Sequence, residues 1–142
     1  MTTYEICYLS KASPCLTNDE LKIVLEETTH FNNNNGITGV LLFSSGTFFQ
    51  VLEGDETQIT HLFYNKIMKD SRHSDIYTIL QKSTKIPFFQ GYSSKFVAIQ
   101  NKIEINQIKE YIIKHNIQDD PKRFRRLLIP YLTTALTSSQ AF

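Results

Sequence analysis

Tyr8, Asn32 and Gln50 are the residues of this sequence whose types could do linked chemistry. A phenol carries one proton that it can pass on, and a carboxamide can accept a proton at oxygen and give one from nitrogen. Gln50 stands between Phe49 and Val51, in phase with Phe48 and Leu52, so a strand would turn its amide onto an apolar face. An unpaired amide there costs about 1–3 kcal/mol, and Tyr8 could satisfy it. Each residue also has an ordinary structural use: Gln50 as a satisfied core amide, Tyr8 as a strand tyrosine with one bond, Asn32 as a local cap at a helix end. Lys66, Arg72 and His73 add basic groups that either meet an anion or form a solvated face.

The elements that must position these groups are marked by period and punctuation. Tyr4 to Leu9 is short and rich in β-formers, a first strand with Tyr4, Ile6 and Tyr8 on one face. Thr17 and Glu20 have the spacing of a capping box, and Leu21, Val24, Leu25 and Thr28 share the inner face of the helix that it opens. That helix runs toward Asn32 and stops by Gly36, since glycine tolerates the left-handed backbone that closes a helix. Ile37 to Phe43 and Thr47 to Leu52 read as strands of a hairpin turning at Ser45-Gly46. Ile59, Leu62, Phe63 and Ile67 recur at helical spacing through a second helix ending near Asp70. A fourth strand is expected at Ile76 to Gln81 and, beyond Pro87, a fifth at Tyr92 to Ile99.

The order βαββαββ is a ferredoxin-like, split βαβ arrangement of the α/β (α+β) class. It predicts a mixed five-stranded sheet with two helices on one face and the C-terminal helices on the other. Strands one and three become neighbours, and right-handed crossovers put both helices on one side. A groove able to take a planar ligand then opens above Tyr8 and Gln50. Two amphipathic stretches follow, at 104–114 and 121–136, the second interrupted by Pro130.

Bulk properties narrow the classes. At 142 residues and 41% apolar content the chain suits one domain with a real core, and an output domain of its own is not expected. A formal net charge of +1 does not advertise nucleic acid or an anionic membrane as a partner. Cys7 and Cys15 show no metal-type spacing, no metal is expected, and the N-terminal residues do not resemble a signal segment, so a reducing cytoplasm fits. The longest apolar runs, such as Gly39 to Phe43, fall far short of the roughly 20 residues that span a bilayer. Low complexity is one reading of the run Asn32 to Asn35, but it does not explain the boundaries around the run.

Spacing binds the separate signals together. Tyr8 lies in Ile6-Cys7-Tyr8-Leu9-Ser10, Asn32 precedes Gly36-Ile37-Thr38-Gly39, and Gln50 lies in Phe48-Phe49-Gln50-Val51-Leu52-Glu53-Gly54. With Asp70-Ser71-Arg72-His73 after the second helix, residues 4 to about 100 resemble the BLUF family of blue-light receptors, with its strand tyrosine, N-x-x-x-G-I-T-G, F-x-Q-x-L-E-G and D-x-R-H segments. The resemblance implies a non-enzymatic photoreceptor that holds FAD non-covalently between the two helices, FMN and riboflavin being alternatives. Asn32 and Gln50 would meet the polar edge of the ring, with Tyr8 beside Gln50 and Val24 and Ile67 clamping the ring faces. Lys66, Asp70, Arg72 and His73 would lie near the ring, ribityl and phosphate groups. Tyr8 would give up an electron and its proton to leave Gln50 as a rotamer or a tautomer with new bonds to the flavin, the source of the light-state red shift.

The resemblance also divides the chain into a flavin-binding domain at 1–100 and a helical extension at 101–142 that packs on the sheet and serves output or assembly. Output would run through the fifth strand to a separate effector protein or through self-association into a homo-oligomer. Leu127, Leu128, Tyr131 and Leu132 are candidate contact residues, with core packing as their competing use.

Three departures stand out. Phe31 replaces a polar or imidazole neighbour of the ring, and Tyr92 and Ser94 occupy the relay positions where relatives carry tryptophan and methionine. With no Trp in the chain, a tryptophan swap is excluded. The second helix carries one residue more than usual between Gly54 and Asp70, which predicts a bulge that rotates Lys66 relative to Ile67. Two rival readings share the fold: an acylphosphatase, against which Ser10 to Thr17 holds no Arg, and a light-insensitive module in which Gln50 merely satisfies Tyr8.

Overall fold

Alternation of β-branched and aromatic residues over the first dozen positions produces β1 (Thr3–Ala12), which supports both of its neighbours. The computed structural model describes residues 3–85, 87, 89, 93, 95–114, 129 and 131–133. Helix α1 (Asn18–Asn34) starts at the expected capping box, in which Thr17 Oγ1 accepts from the Glu20 N–H at 3.1 Å and Glu20 returns to the Thr17 N–H at 3.0 Å. The hairpin of β2 (Thr38–Ser44) and β3 (Thr47–Gly54) turns through Ser45 and Gly46, both with positive φ, the conformation that matches strand twist in a two-residue loop.

Helix α2 (Glu56–Leu62) passes directly into a π-helical turn at Phe63–Ile67, closed by the Met68 N–H on the Phe63 carbonyl at 2.9 Å. The expected bulge is this turn, and the second helix is therefore not one regular α-helix down to Asp70. An extra residue in a helix whose two ends are fixed by a strand on each side is absorbed most easily as a single π turn. Strand β4 (His73–Thr84) is twice the length of the expected segment, because β1 offers it a partner over its whole run. Strand β5 begins later than expected and covers Val97–Ile99; Tyr92 and Ser94 lie outside the described residues.

The sheet order is β4-β1-β3-β2-β5, antiparallel except for the β2–β5 pair. Chain alternation divides the core. Ile6, Tyr8, Leu41, Phe48 and Leu52 face Leu21 and Leu25 of α1 and Ile59, Leu62 and Phe63 beyond β3. Cys7, Val40, Leu42, Phe49 and Val51 face the other way, against Ile105, Ile108 and Ile112 of α3 (Lys102–Lys114) and against Leu132. The chain is thus an α+β protein with a mixed five-stranded sheet covered on both faces.

Two of the candidate contact residues belong to this second core. Leu132 is buried, and Tyr131 stacks on Phe49 at 5.6 Å while its hydroxyl donates to the Thr47 carbonyl at 3.0 Å. Leu127 and Leu128 lie outside the described residues. No described helix is long and apolar enough to cross a membrane.

Candidate functional site

Between α1 and the α2–π segment, above β1 and β3, lies a cavity of about 200 Å³. Its floor is Tyr8, Leu41, Phe48 and Gln50; Val24, Phe31 and Asn32 of α1 form one wall, and Leu62, Lys66 and Ile67 form the other. Asp70, Arg72 and His73 close its charged end. All ten residues expected at the site line this one space. Sequence reasoning left out Glu27, Thr28, Leu41, Phe48 and Leu62 as wall residues. Thr28 belongs to the inner face of α1 already read from the sequence, and Glu27, three residues after Val24 and four before Phe31, follows the same helical spacing that could have found it.

Tyr8 and Gln50 are direct partners in the β1–β3 register, so their side chains leave the same face side by side. The Tyr8 hydroxyl donates to Gln50 Oε1, with both residues buried. One detail re-aims the tyrosine: pairing between β1 and β4 slips between Cys7 and Tyr8, a bulge that bends the strand at the cavity floor. The ring of Tyr8 then rests 5.5 Å from Phe63 and 6.2 Å from His73.

Asn32 is 1% exposed, and its Nδ2 is buried without a hydrogen-bond partner. A buried donor left unmatched costs about 1–3 kcal/mol, so the fold keeps a carboxamide N–H ready for an acceptor that the protein itself does not provide. The Asn run around it is not low complexity in use. Asn33 holds Phe96, and Asn34 meets His30 at 3.0 Å. Asn35 donates to the Phe31 carbonyl at 2.8 Å and accepts from Gln58.

At the charged end, Arg72 forks onto Asp70, Nη2 to Oδ2 at 2.7 Å and Nε to Oδ1 at 3.0 Å, and reaches Glu27 at 3.3 Å. The guanidinium holds the Asp70 carboxyl below the usual range, and Asp70 raises Arg72 further still. His73 is spent on the protein: its Nε2–H donates to the Ile67 carbonyl at 2.6 Å, and Nδ1 meets the Ser10 hydroxyl at 2.8 Å. That clamp ties the π turn to β1. Phe31, on the other wall, carries the Lys66 ammonium over its ring at 4.7 Å, a cation–π pair across the cavity.

Burial pushes the Cys7 thiol and the Tyr8 and Tyr131 hydroxyls well above their ordinary values of 9.0 and 10.0. A group whose folded pKa is raised stabilises the fold fully below its unfolded pKa and loses that contribution as pH rises above it. Melting temperature is therefore expected to fall progressively above about pH 9–10, while Tyr8 itself stays protonated in the native protein. A melt at pH 11 matching that at pH 8 would contradict it.

A proton-bearing phenol bonded to an amide and a carboxamide donor without a partner thus line one cavity between the helices and the sheet. The family described as "Sensors of blue-light using FAD" matches residues 3–95, and the chain belongs to this BLUF family, whose domain is a flavin-binding photosensor module and not itself an enzyme. The chain is 35% identical over 78 residues to the photoactivated adenylate cyclase subunit beta of Euglena longa, covering 55% of this chain and 9% of that protein. It is 43% identical over 49 residues to the blue light- and temperature-regulated antirepressor BluF of Escherichia coli strain K12, covering 34% of this chain and 12% of that one. The chain thus spans about a tenth of the length of these curated relatives. Among solved structures, Klebsiella pneumoniae BlrP1 in a calcium and cyclic-diGMP complex aligns with a TM-score of 0.72 at 25% identity, covering 94% of this chain and 34% of that one. The photo-activated state of BlsA aligns over 99% of both chains with a TM-score of 0.63 at 28% identity.

Proposed function

We propose that the chain is a blue-light receptor that holds FAD non-covalently in this cavity and answers light through Tyr8 and Gln50. The observation that carries the reading is the buried Tyr8–Gln50 hydrogen bond on the floor of a slot whose edge holds the unpartnered Asn32 Nδ2. Asn32 is suited to the N–H and carbonyl edge of a flavin, and Val24 and Ile67, on opposite walls, to the ring faces. A bound flavin supplies an electron acceptor that blue light makes strong.

Tyr8 is prepared for the coupled step. Its proton cannot leave to water, because the side chain is buried, but Gln50 Oε1 already accepts it. As the tyrosine loses an electron its hydroxyl becomes acidic, and the proton moves along that bond to the amide. When the electron returns from the flavin, the tyrosyl oxygen takes back a proton from the protonated amide, and Gln50 would be left as a rotamer or a tautomer whose donor faces the ring edge. A new donor on a ring carbonyl lowers the energy of the excited state and reddens absorption.

Ring contacts select the flavin family, and they are shared by FAD, FMN and riboflavin. Lys66 and Arg72 stand at the end of the cavity suited to a phosphate, although Asp70 and Glu27 already balance Arg72. His73 serves by fixing the π turn. Tyr92 and Ser94 are proposed to pass the change onward, and residues 101–142 to convey it to a separate effector or to a second copy, in the cytoplasm. The acylphosphatase reading has no arginine after strand one to support it.

Reconstitution tests the function. Purified protein supplemented with FAD should turn yellow and, under blue light, shift its flavin absorption reversibly to the red; protein that stays colourless, or yellow but unresponsive, defeats the reading. One substitution separates binding from folding. Asn32→Ala is expected to leave the melting temperature of flavin-free protein nearly unchanged, because the lost donor has no partner there, yet to weaken flavin binding about tenfold or more in titration calorimetry. Unchanged affinity would remove Asn32 from the site.

A further inference from the structure

Asn33 lies one residue beyond Asn32 on the last turn of α1, and its side chain leaves the cavity for the edge of the sheet. The carboxamide closes on the backbone of Phe96: Oδ1 accepts from the Phe96 N–H at 2.7 Å and Nδ2 donates to the Phe96 carbonyl at 3.2 Å. A planar amide bonded to both polar groups of one residue does what a neighbouring strand would do. Strand β5 needs such support. It has three residues, among the described residues it pairs with β2 alone, and Phe96 is the residue immediately before it.

The turn that carries both asparagines is tied by backbone hydrogen bonds. The Asn32 carbonyl accepts from the Ile37 N–H at 2.9 Å and from the Asn35 N–H at 3.2 Å, so a shift of Asn32 moves Asn33 with it. At the far end of the same connection, the Glu53 carboxylate of β3 accepts from the Phe89 N–H at 3.0 and 3.1 Å. Phe89 is therefore held by a side chain from β3, and Phe96 by one from α1. These two elements also carry Asn32 and Gln50.

We infer that Asn33 is a positioning residue that carries a change at the flavin edge from Asn32 to the start of β5 through its paired bonds to the Phe96 backbone. The inference rests on the receptor reading above. It also suits a chain with no tryptophan, since it uses a backbone clamp where a side-chain swap is chemically absent. Two discrete arrangements of the clamp, made and broken, are what a signal requires.

The test is hydrogen exchange followed by mass spectrometry on the full chain loaded with FAD, in darkness and under blue light, for wild type, Asn33→Ala and Asn33→Asp. In wild type, illumination should change exchange at Phe96 to Ile99. Asn33→Ala should keep the red shift, speed dark exchange there about tenfold through the lost hydrogen bond, and abolish the difference between light and dark. Asn33→Asp keeps the acceptor for the Phe96 N–H and should restore part of that difference. A merely structural role would raise dark exchange and leave the light-induced difference intact. That result overturns the inference, as does a wild type that reddens without any exchange change at Phe96 to Ile99. A wild type that does not redden defeats the receptor reading itself, and the inference with it.

Discussion

Purified Gln50→Leu protein is expected to bind flavin and to keep its dark spectrum under blue light, with the red shift lost entirely. Gln50 is 2% exposed and is the partner that accepts the Tyr8 proton. Leucine has nearly the volume of glutamine but no acceptor for the phenol and no donor for the ring edge, so both halves of the response disappear together. The substitution also strands the Tyr8 hydroxyl in a dry core, which should cost about 1–3 kcal/mol of folding stability and lower the melting temperature by several degrees. Flavin should stay bound, because Asn32 and the apolar walls are untouched; a loss of affinity beyond about tenfold would mean that Gln50 chiefly holds the ring. Difference spectra before and after illumination decide the point, and a surviving red shift refutes the role assigned to Gln50. Tyr8→Phe should likewise end the photoresponse from the other side of the bond.

A second large effect concerns the floor. Gly39→Ala should cost on the order of 3–5 kcal/mol and lower the melting temperature by roughly 10 °C or more. The residue has φ near +135°, and a Cβ there would overlap the Val51 carbonyl oxygen, lie 2.9 Å from the Val51 carbonyl carbon and touch the Phe96 ring at 3.4 Å. The clash is with backbone, in the strand pair that carries Gln50, so no side-chain rotation relieves it. Gly36 is the contrast. It has φ of +67° with nothing near a Cβ, so Gly36→Ala should cost only about 1 kcal/mol, the strain of the left-handed backbone alone. Parallel thermal melts of the two variants measure the difference; equal effects would show that the hairpin yields more readily than its contacts suggest.

The helix starts, the hairpin turn and the phase of β3 were readable because each depends on a few neighbouring residues. Thr17 and Glu20 form their capping box from three positions, and Ser45-Gly46 adopts a turn that few other pairs allow. The length of β4 was not readable, because its outer residues gain their bonds only from β1, far away in the chain. Nor was the bulge beside Tyr8, which exists only in the pairing of two strands. The Asn32 to Asn35 run looked like a single compositional feature, yet each amide has its own partner or lacks one, according to which way α1 turns it.

By itself, the sequence determined that Tyr8 would share a face with Tyr4 and Ile6, and Gln50 with Phe48 and Leu52, since strand alternation is local, and that helices would flank these strands. Tertiary structure alone decided what that face could do. Antiparallel register set the phenol against the amide oxygen, and the π turn brought Lys66 and Ile67 to the cavity. Packing of α1 against the sheet left one carboxamide donor without a partner at the edge of that slot and gave the next asparagine to the fifth strand. These are contacts between groups distant in sequence, fixed by how buried surfaces fit, and no local pattern of residues specifies them.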